Sequence, residues 1–292
     1  MSDLLAQSYE ECKRLNALHG KTYYLATLLL PAKKRPHVHA LYGFARFADE
    51  IVDDLASTLT PEEKAVHLKN WGADVIADLR RGESSDQIGL ALVDTVKKFN
   101  IPLSYFEAFM KSMEMDLTVT RYKTYDDLME YVYGSAVVIG LEMLPILGYK
   151  DERAISAATA LGTAFQLANF IRDIGEDIDR GRIYMPLDDL AKFGVTEEAL
   201  LNRKMTPEIT EAIKYQIDRV RALQAEAEAG IKYLDPISQP CIKAASELYC
   251  GIVDEVEANN YDVFTHRATT STARRLRVAG AAYIQTFFAR MR

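Results

Sequence analysis

Two acidic pairs carry the chemistry of this sequence: Asp49 and Asp53 in FARFADEIVDD, and Asp173 and Asp177 in QLANFIRDIGEDIDRGRIYMP. Each pair is spaced i, i+4, which on a helix puts both carboxylates on one face, about 6 Å apart along the axis. Carboxylates at close quarters repel, so a folded chain that keeps them needs a counter-charge. A hard divalent cation is the commonest, and Mg²⁺ held by few carboxylates completes its shell with water and substrate phosphate. The expected chemistry is metal-dependent handling of a diphosphate.

The neighbours of each pair sharpen that expectation. Leu41, Phe44, Ala45, Phe47, Ala48, Ile51 and Val52 surround the first pair, and Tyr42, Arg46, Asp49 and Asp53 form one polar stripe through them. In the second segment Gln166, Asn169, Asp173 and Asp177 form a stripe through Leu161, Ala164, Phe165, Leu167, Ala168, Phe170, Ile171 and Ile174. A surface helix shows an apolar stripe on a polar background. These two are the inverse, and a buried charged stripe is costly unless it faces water, metal or ligand. Both stripes are therefore expected to line one internal cavity. Other acidic spacings read as structural. Asp126, Asp127 and Glu130 spell DDxxE but follow Thr124, where acids complement a helix start. Glu50 with Asp54 and Arg172 with Glu176 read as solvated pairs.

The elements that must position these residues are helical. With 292 residues and ordinary apolar content the chain suits one large domain. Thr60-Pro61-Glu62-Glu63 is a capping box with proline at the first position, and Thr206-Pro207-Glu208 starts a helix in a similar way. Residues 208–230 carry helix formers and end on Gly230. No alternating run bounded by turns marks a strand. The acidic pairs lie far apart in sequence, so an all-α single domain over residues 1–292, a helical bundle around a central cavity, is the expected class.

Composition excludes several functions. A net charge of −7 argues against general nucleic-acid binding. Cys12, Cys241 and Cys250 fit neither a disulfide framework nor a zinc spacing, and the five histidines show no HExxH or ExxH pattern. The N-terminus does not read as a signal peptide, which points to a cytoplasmic protein. The apolar stretch 131–149 is interrupted by Glu142 and Pro145 and reads as a buried helix rather than a membrane span. After Asp262 there is no acidic residue, while Arg267, Arg274, Arg275, Arg277, Arg290 and Arg292 are basic and Phe287 and Phe288 lie near the end. Such a tail suits peripheral contact with anionic lipid.

The two motifs with their neighbours resemble the squalene and phytoene synthase family. QLANFIRDIGEDIDRGRIYMP is similar to its second aspartate-rich motif and ALYGFARFADEIVD to its first. HGKTYY, YVYGSAVVIGLEMLPILG and NNYDVFTHRA match weaker blocks, so the likeness spans nearly the whole chain in order. It implies an isoprenoid synthase fold and head-to-head joining of two prenyl diphosphates with Mg²⁺ or Mn²⁺. It makes Asp49, Asp53, Asp173, Asp177 and Asn169 metal ligands. Lys21, Thr22, Arg46, Arg172, Arg182 and Arg267 would hold diphosphates. Tyr42, Tyr131 and Tyr249 would touch substrate near the reacting carbons, with His19, Tyr23 and Gln166 completing the binding wall. Thr22-Tyr23 and the Ser135–Val137 run depart from commoner family residues and bear on substrate length.

GEDIDRGRIYMP is closer to bacterial phytoene synthases than to squalene synthases. That implies condensation of two geranylgeranyl diphosphates to phytoene through a cyclopropylcarbinyl diphosphate, without NADPH. Small residues such as Ala136, Gly140, Ala164 and Ala168 are expected to give the cavity depth. The alternatives are a C30 synthase using farnesyl diphosphate, a chain-elongating prenyltransferase or cyclase, which favours DDxxD motifs, and a non-catalytic helical scaffold.

Overall fold

A computed structural model describes residues 3–53 and 59–291, with the side chains of Thr22, Asp53, Pro61, Arg290 and Met291 outside the described set. Helices α1 (Asp3–His19) and α2 (Lys21–Thr27) lead into α3 (Arg35–Asp53), α4 (Pro61–Arg81), α5 (Gly89–Phe99) and α6 (Leu103–Met115). The apolar stretch that follows forms α7 (Tyr125–Val132), a π-helical turn (Tyr133–Val137) and α8 (Val138–Leu147). After α9 (Arg153–Asp179) come α10 (Leu187–Lys192), α11 (Glu197–Leu201) and α12 (Pro207–Gly230). A 3₁₀ turn (Ile231–Tyr233), α13 (Gln239–Cys250), α14 (Ile252–Ala258) and α15 (Thr272–Met291) complete the order. No strand occurs among the described residues, only two isolated bridges.

The helix starts follow local chemistry. Thr60 Oγ1 accepts from Glu63 N at 3.2 Å, and Glu63 Oε2 accepts from Thr60 N at 2.8 Å. These bonds satisfy two amides that an α-helix leaves orphaned. Thr124 and Asp127 make the same reciprocal pair at 3.1 and 2.9 Å, so the DDxxE block is a helix start.

Helix α9 is the central pillar, packing along α12 and against α8, the π turn, α13 and α14. Helix α3 sits between α1, α4, α5 and α8. An aromatic knot anchors it: Phe44 meets Trp71, Phe106 and Phe109 with ring centroids 5.6, 5.3 and 5.0 Å apart. Truncating a fully buried member such as Phe106 removes about 3–5 kcal/mol.

The two longest apolar helical stretches, Tyr125–Leu147 and Arg153–Asp179, could span a membrane by length and composition, but 56% of the apolar window in each is buried inside the protein. They are walls of the bundle. The π turn between α7 and α8 rests on Gly134, where a Cβ would fall 2.2 Å from the Ala108 carbonyl oxygen. Only glycine lets the turn lie this close to α6. Single π turns inside helices recur at functional sites, and this one carries Ser135 and Ala136 to the cavity wall.

Candidate active site

A cavity of about 340 Å³ lies between α2, α3, α8, α9, α12 and α13. Its polar lining is concentrated at one end, with Tyr42, Arg46 and Asp49 from α3 and Gln166 and Asn169 from α9. The remainder is mostly apolar, including Leu144, Leu147, Ala158, Leu161, Ile231 and Leu234. Along α9 the lining runs from Asn169 back to Ala154, about 22 Å of helix at 1.5 Å per residue. Part of each inverted stripe thus lines one cavity, Tyr42, Arg46 and Asp49 from the first and Gln166 and Asn169 from the second, while Asp173 and Asp177 are not among the lining residues.

Tyr23 connects the stripes. Its ring lies 6.3 Å from that of Tyr42 and 4.9 Å from that of Tyr249, whose hydroxyl is hydrogen-bonded to its own. Burial raises the Tyr23 pKa, with Arg172 easing and Asp49 opposing ionisation, so charges from both helices reach this phenol. Phe165 stacks on the other side of Tyr249 at 4.8 Å.

Asp173 is held by two arginines. Arg172 Nε donates to Oδ1 at 2.7 Å and Arg267 Nε to the same oxygen at 2.8 Å. Burial opposes the Asp173 charge, but these bonds outweigh it and keep the carboxyl below its ordinary range. One turn on, burial and the charge of Asp173 push Asp177 up to about 7, with Arg180 and Arg182 partly offsetting. Gly175, between them, lets the chain after α14 approach: a Cβ there would lie 2.8 Å from the Val263 carbonyl. That approach delivers Arg267.

This donor set fits a hard divalent cation. Asn169 Oδ1 is buried without a hydrogen bond, an acceptor awaiting a partner. Asp177 resists ionisation because it is buried and a second carboxylate stands beside it, and a bound cation would oppose both effects. Among the described residues no three acidic, histidine or cysteine side chains form a ready cluster.

Of the residues singled out in the sequence, Tyr23, Tyr42, Arg46, Asp49, Gln166 and Asn169 line the cavity. Arg172, Asp173 and Arg267 form the charged cluster beside it. The side chains of Thr22 and Asp53 lie outside the described residues. His19 faces Glu50 at 3.8 Å, and Lys21 is exposed. Tyr131 and Arg182 do not line the cavity; both contact Asp116.

Two expectations are corrected. Ala136 and Gly140 line the cavity, but Ala164 and Ala168 are wholly buried in helix packing. Arg172 pairs with Asp173, not Glu176, which Arg267 takes at 3.0 Å. Glu50 pairs with Arg46 at 3.1 Å, while Asp54 lies outside the described residues. Sequence reasoning also missed Asp116 and the floor from α12 and α13, including Gly230 and Ala245. Asp116 carried one local signal: an acid at a helix C-terminus opposes the helix dipole.

An all-α bundle that closes an apolar tunnel with facing acidic stripes is an isoprenoid synthase fold. The chain belongs to the squalene/phytoene synthase family, which matches residues 17–274. It is 38% identical over 287 residues to a chloroplastic phytoene synthase of an Oncidium hybrid cultivar, covering 96% of this chain and 68% of that one. It is 38% identical over 289 residues to a phytoene synthase of Arthrospira platensis, covering 93% and 91%. The fold matches a squalene synthase from Alicyclobacillus acidocaldarius with a TM-score of 0.82 at 27% identity, over 90% of this chain and 97% of that one. It matches a dehydrosqualene synthase with a TM-score of 0.86 at 24% identity, over 95% and 96%. The chain is an enzyme of the prenyltransferase type.

Proposed function

We propose that this enzyme joins two geranylgeranyl diphosphates head to head to give phytoene, with residues 1–292 acting as one domain. The observation that carries this is the tunnel itself: a long apolar chamber with its polar groups gathered at one mouth. Such a shape holds prenyl chains and leaves their diphosphates among Arg46, Arg172 and Arg267. Relatives at 37–39% identity that bear the name phytoene synthase support the choice of product.

The residues act in a defined order. The tunnel aligns two chains with their allylic ends adjacent, converting an encounter into an intramolecular step. Asp49, Asp53, Asn169, Asp173 and Asp177 would hold Mg²⁺, replaceable by Mn²⁺, and the bound ion would supply positive charge to the departing diphosphate. Arg46, Arg172 and Arg267 neutralise the same developing charge. The aromatic faces of Tyr23, Tyr42 and Phe165 stabilise the allylic cation, and the dry wall keeps water from quenching it. Attack by the neighbouring double bond, with loss of a proton to the released diphosphate, closes a cyclopropane. A second ionisation, rearrangement and proton loss to the released diphosphate give the central triene. No hydride is consumed, so NADPH is not required. Purified protein given geranylgeranyl diphosphate and Mg²⁺ is expected to form phytoene; no hydrocarbon product would contradict this.

A second reading, C30 synthesis from farnesyl diphosphate, draws on the resemblance to the squalene synthase at 27% identity. The greater identity to proteins named phytoene synthase favours the first.

The proposal includes peripheral membrane contact by a cytoplasmic protein. Helix α15 leaves Leu276, Tyr283, Ile284, Phe287 and Phe288 between 56% and 69% exposed. Its arginines count for less than the sequence suggested, because Arg274 pairs with Asp254 and Arg277 with Glu247. The contact is therefore mainly apolar.

A further inference from the structure

Helix α6 ends on a carboxylate, where the last-turn carbonyls already carry partial negative charge. Asp116 is nevertheless built into a network. Tyr131 Oη donates to Oδ2 at 2.8 Å and Tyr184 Oη to Oδ1 at 2.9 Å, while Arg182 Nη2 donates to its main-chain carbonyl at 2.9 Å. The surroundings are dry: Tyr131 is 3% exposed and Tyr184 7%. Tyr184 lies flat on Phe170, with centroids 4.2 Å apart and planes 7° from parallel, and the Tyr131 ring is 5.6 Å from Tyr184. Phe170 sits on α9 between Asn169 and Asp173. One carboxylate thus joins α6, α7 and the chain beyond α9 directly behind the second acidic stripe.

We infer that Asp116 is a positioning residue for the reaction, fixing Tyr131 and Tyr184 so that both phenol protons point to it. A phenol has one proton to give. With that proton committed, each hydroxyl offers only lone pairs elsewhere, and its ring gains electron density from the hydrogen-bonded carboxylate. Neither ring lines the cavity, so their effect reaches it through Phe170 and the α9 stripe behind which they pack. The same contacts pin Arg182 and Tyr184 beside the α9 residues that carry the second acidic pair. This rests on the carbocation reaction proposed above.

Asp116→Asn keeps the side chain's shape but leaves one acceptor oxygen for two phenols. It is expected to lower kcat about 10- to 100-fold through misplacement of the site, with KM for geranylgeranyl diphosphate within about threefold. Asp116→Glu, which keeps both oxygens, should recover part of the loss. The double variant Asp116→Asn/Tyr131→Phe should be no slower than the slower single variant, because the two act as one unit. Wild-type kcat in Asp116→Asn, or additive losses in the double variant, overturns the inference. If Asp116→Asn does not fold, Tyr131→Phe and Tyr184→Phe carry the same test: non-additive losses support the inference and additive ones overturn it. A second readout needs no substrate. With tyrosine ¹³C-labelled at Cζ, the Tyr131 and Tyr184 resonances should shift in Asp116→Asn while distant tyrosines stay put. Unshifted resonances overturn the inference even where phytoene formation stands.

Discussion

Arg267 Nε lies 2.8 Å from Asp173 Oδ1 and 3.0 Å from Glu176 Oε1, tying the chain after α14 to the acidic face of α9. With Arg172 on its other side, Asp173 is held ionised and aimed before any ligand arrives. Asp173→Ala should reduce turnover by several orders of magnitude while far-UV circular dichroism stays unchanged. Arg267→Gln should raise KM for the diphosphate substrate about tenfold, equivalent to about 1.4 kcal/mol of binding, with a smaller effect on kcat. Steady-state kinetics on both proteins checks this; wild-type turnover in folded Asp173→Ala would remove the site assignment.

The tunnel floor is expected to set chain length. Ala157 lines it, and a Cβ on Gly230 would fall 2.2 Å from the Ala157 Cβ, so α9 and α12 touch there. Ala157→Leu fills space that the far end of a twenty-carbon chain needs. The ratio of kcat/KM for geranylgeranyl over farnesyl diphosphate should fall about tenfold or more, the range expected for a few methylenes in an apolar pocket. An unchanged ratio in a folded variant would place the floor elsewhere.

Glu142 predicts a pH dependence. It is 2% exposed, its Oε1 finds no hydrogen bond, and burial holds its pKa well above the ordinary carboxyl value. The unfolded chain releases this proton near pH 4.3, so above that pH folding must retain it. Stability then falls by about 1.4 kcal/mol per unit until the folded pKa is reached. Glu142→Met, which removes the carboxyl, should be more stable than wild type by a margin that grows from pH 5 to pH 8. Urea unfolding at both values measures it; an equal margin would show that Glu142 ionises in the fold.

How much of this was legible in sequence depended on periodicity. The acidic pairs were legible because i, i+4 spacing on an inverted helix survives without tertiary information, and Thr60 and Thr124 announced their helix starts through local bonds. Ala164 and Ala168 were misplaced because α9 is apolar on nearly every side, and pattern cannot separate a cavity face from a packed one. Arg172 pairs with its sequence neighbour Asp173 rather than the helical i, i+4 partner, which Arg267 takes. Asp116 reaches Tyr131 and Tyr184 from irregular ends of elements, where no repeat relates them. The floor from α12 and α13 is remote in sequence from both motifs.

Helix α15 should govern membrane binding. Replacing Ile284, Phe287 and Phe288 together by serine removes exposed apolar area without touching the buried Val278 and Ala282. Flotation with vesicles should fall several-fold in this variant, and wild-type binding should differ little between neutral and anionic vesicles because Arg274 and Arg277 are engaged by Asp254 and Glu247. Undiminished flotation of the triple variant would move the contact to another surface.

The most direct measurement is the hydrocarbon made by purified wild-type protein from an equimolar mixture of farnesyl and geranylgeranyl diphosphates with Mg²⁺, in the presence and absence of NADPH. Phytoene should be the main product in both cases, at the same rate, and chelation of the metal should abolish it. A product confined to C30 hydrocarbon, or dependence of all hydrocarbon formation on NADPH, would contradict the proposed function.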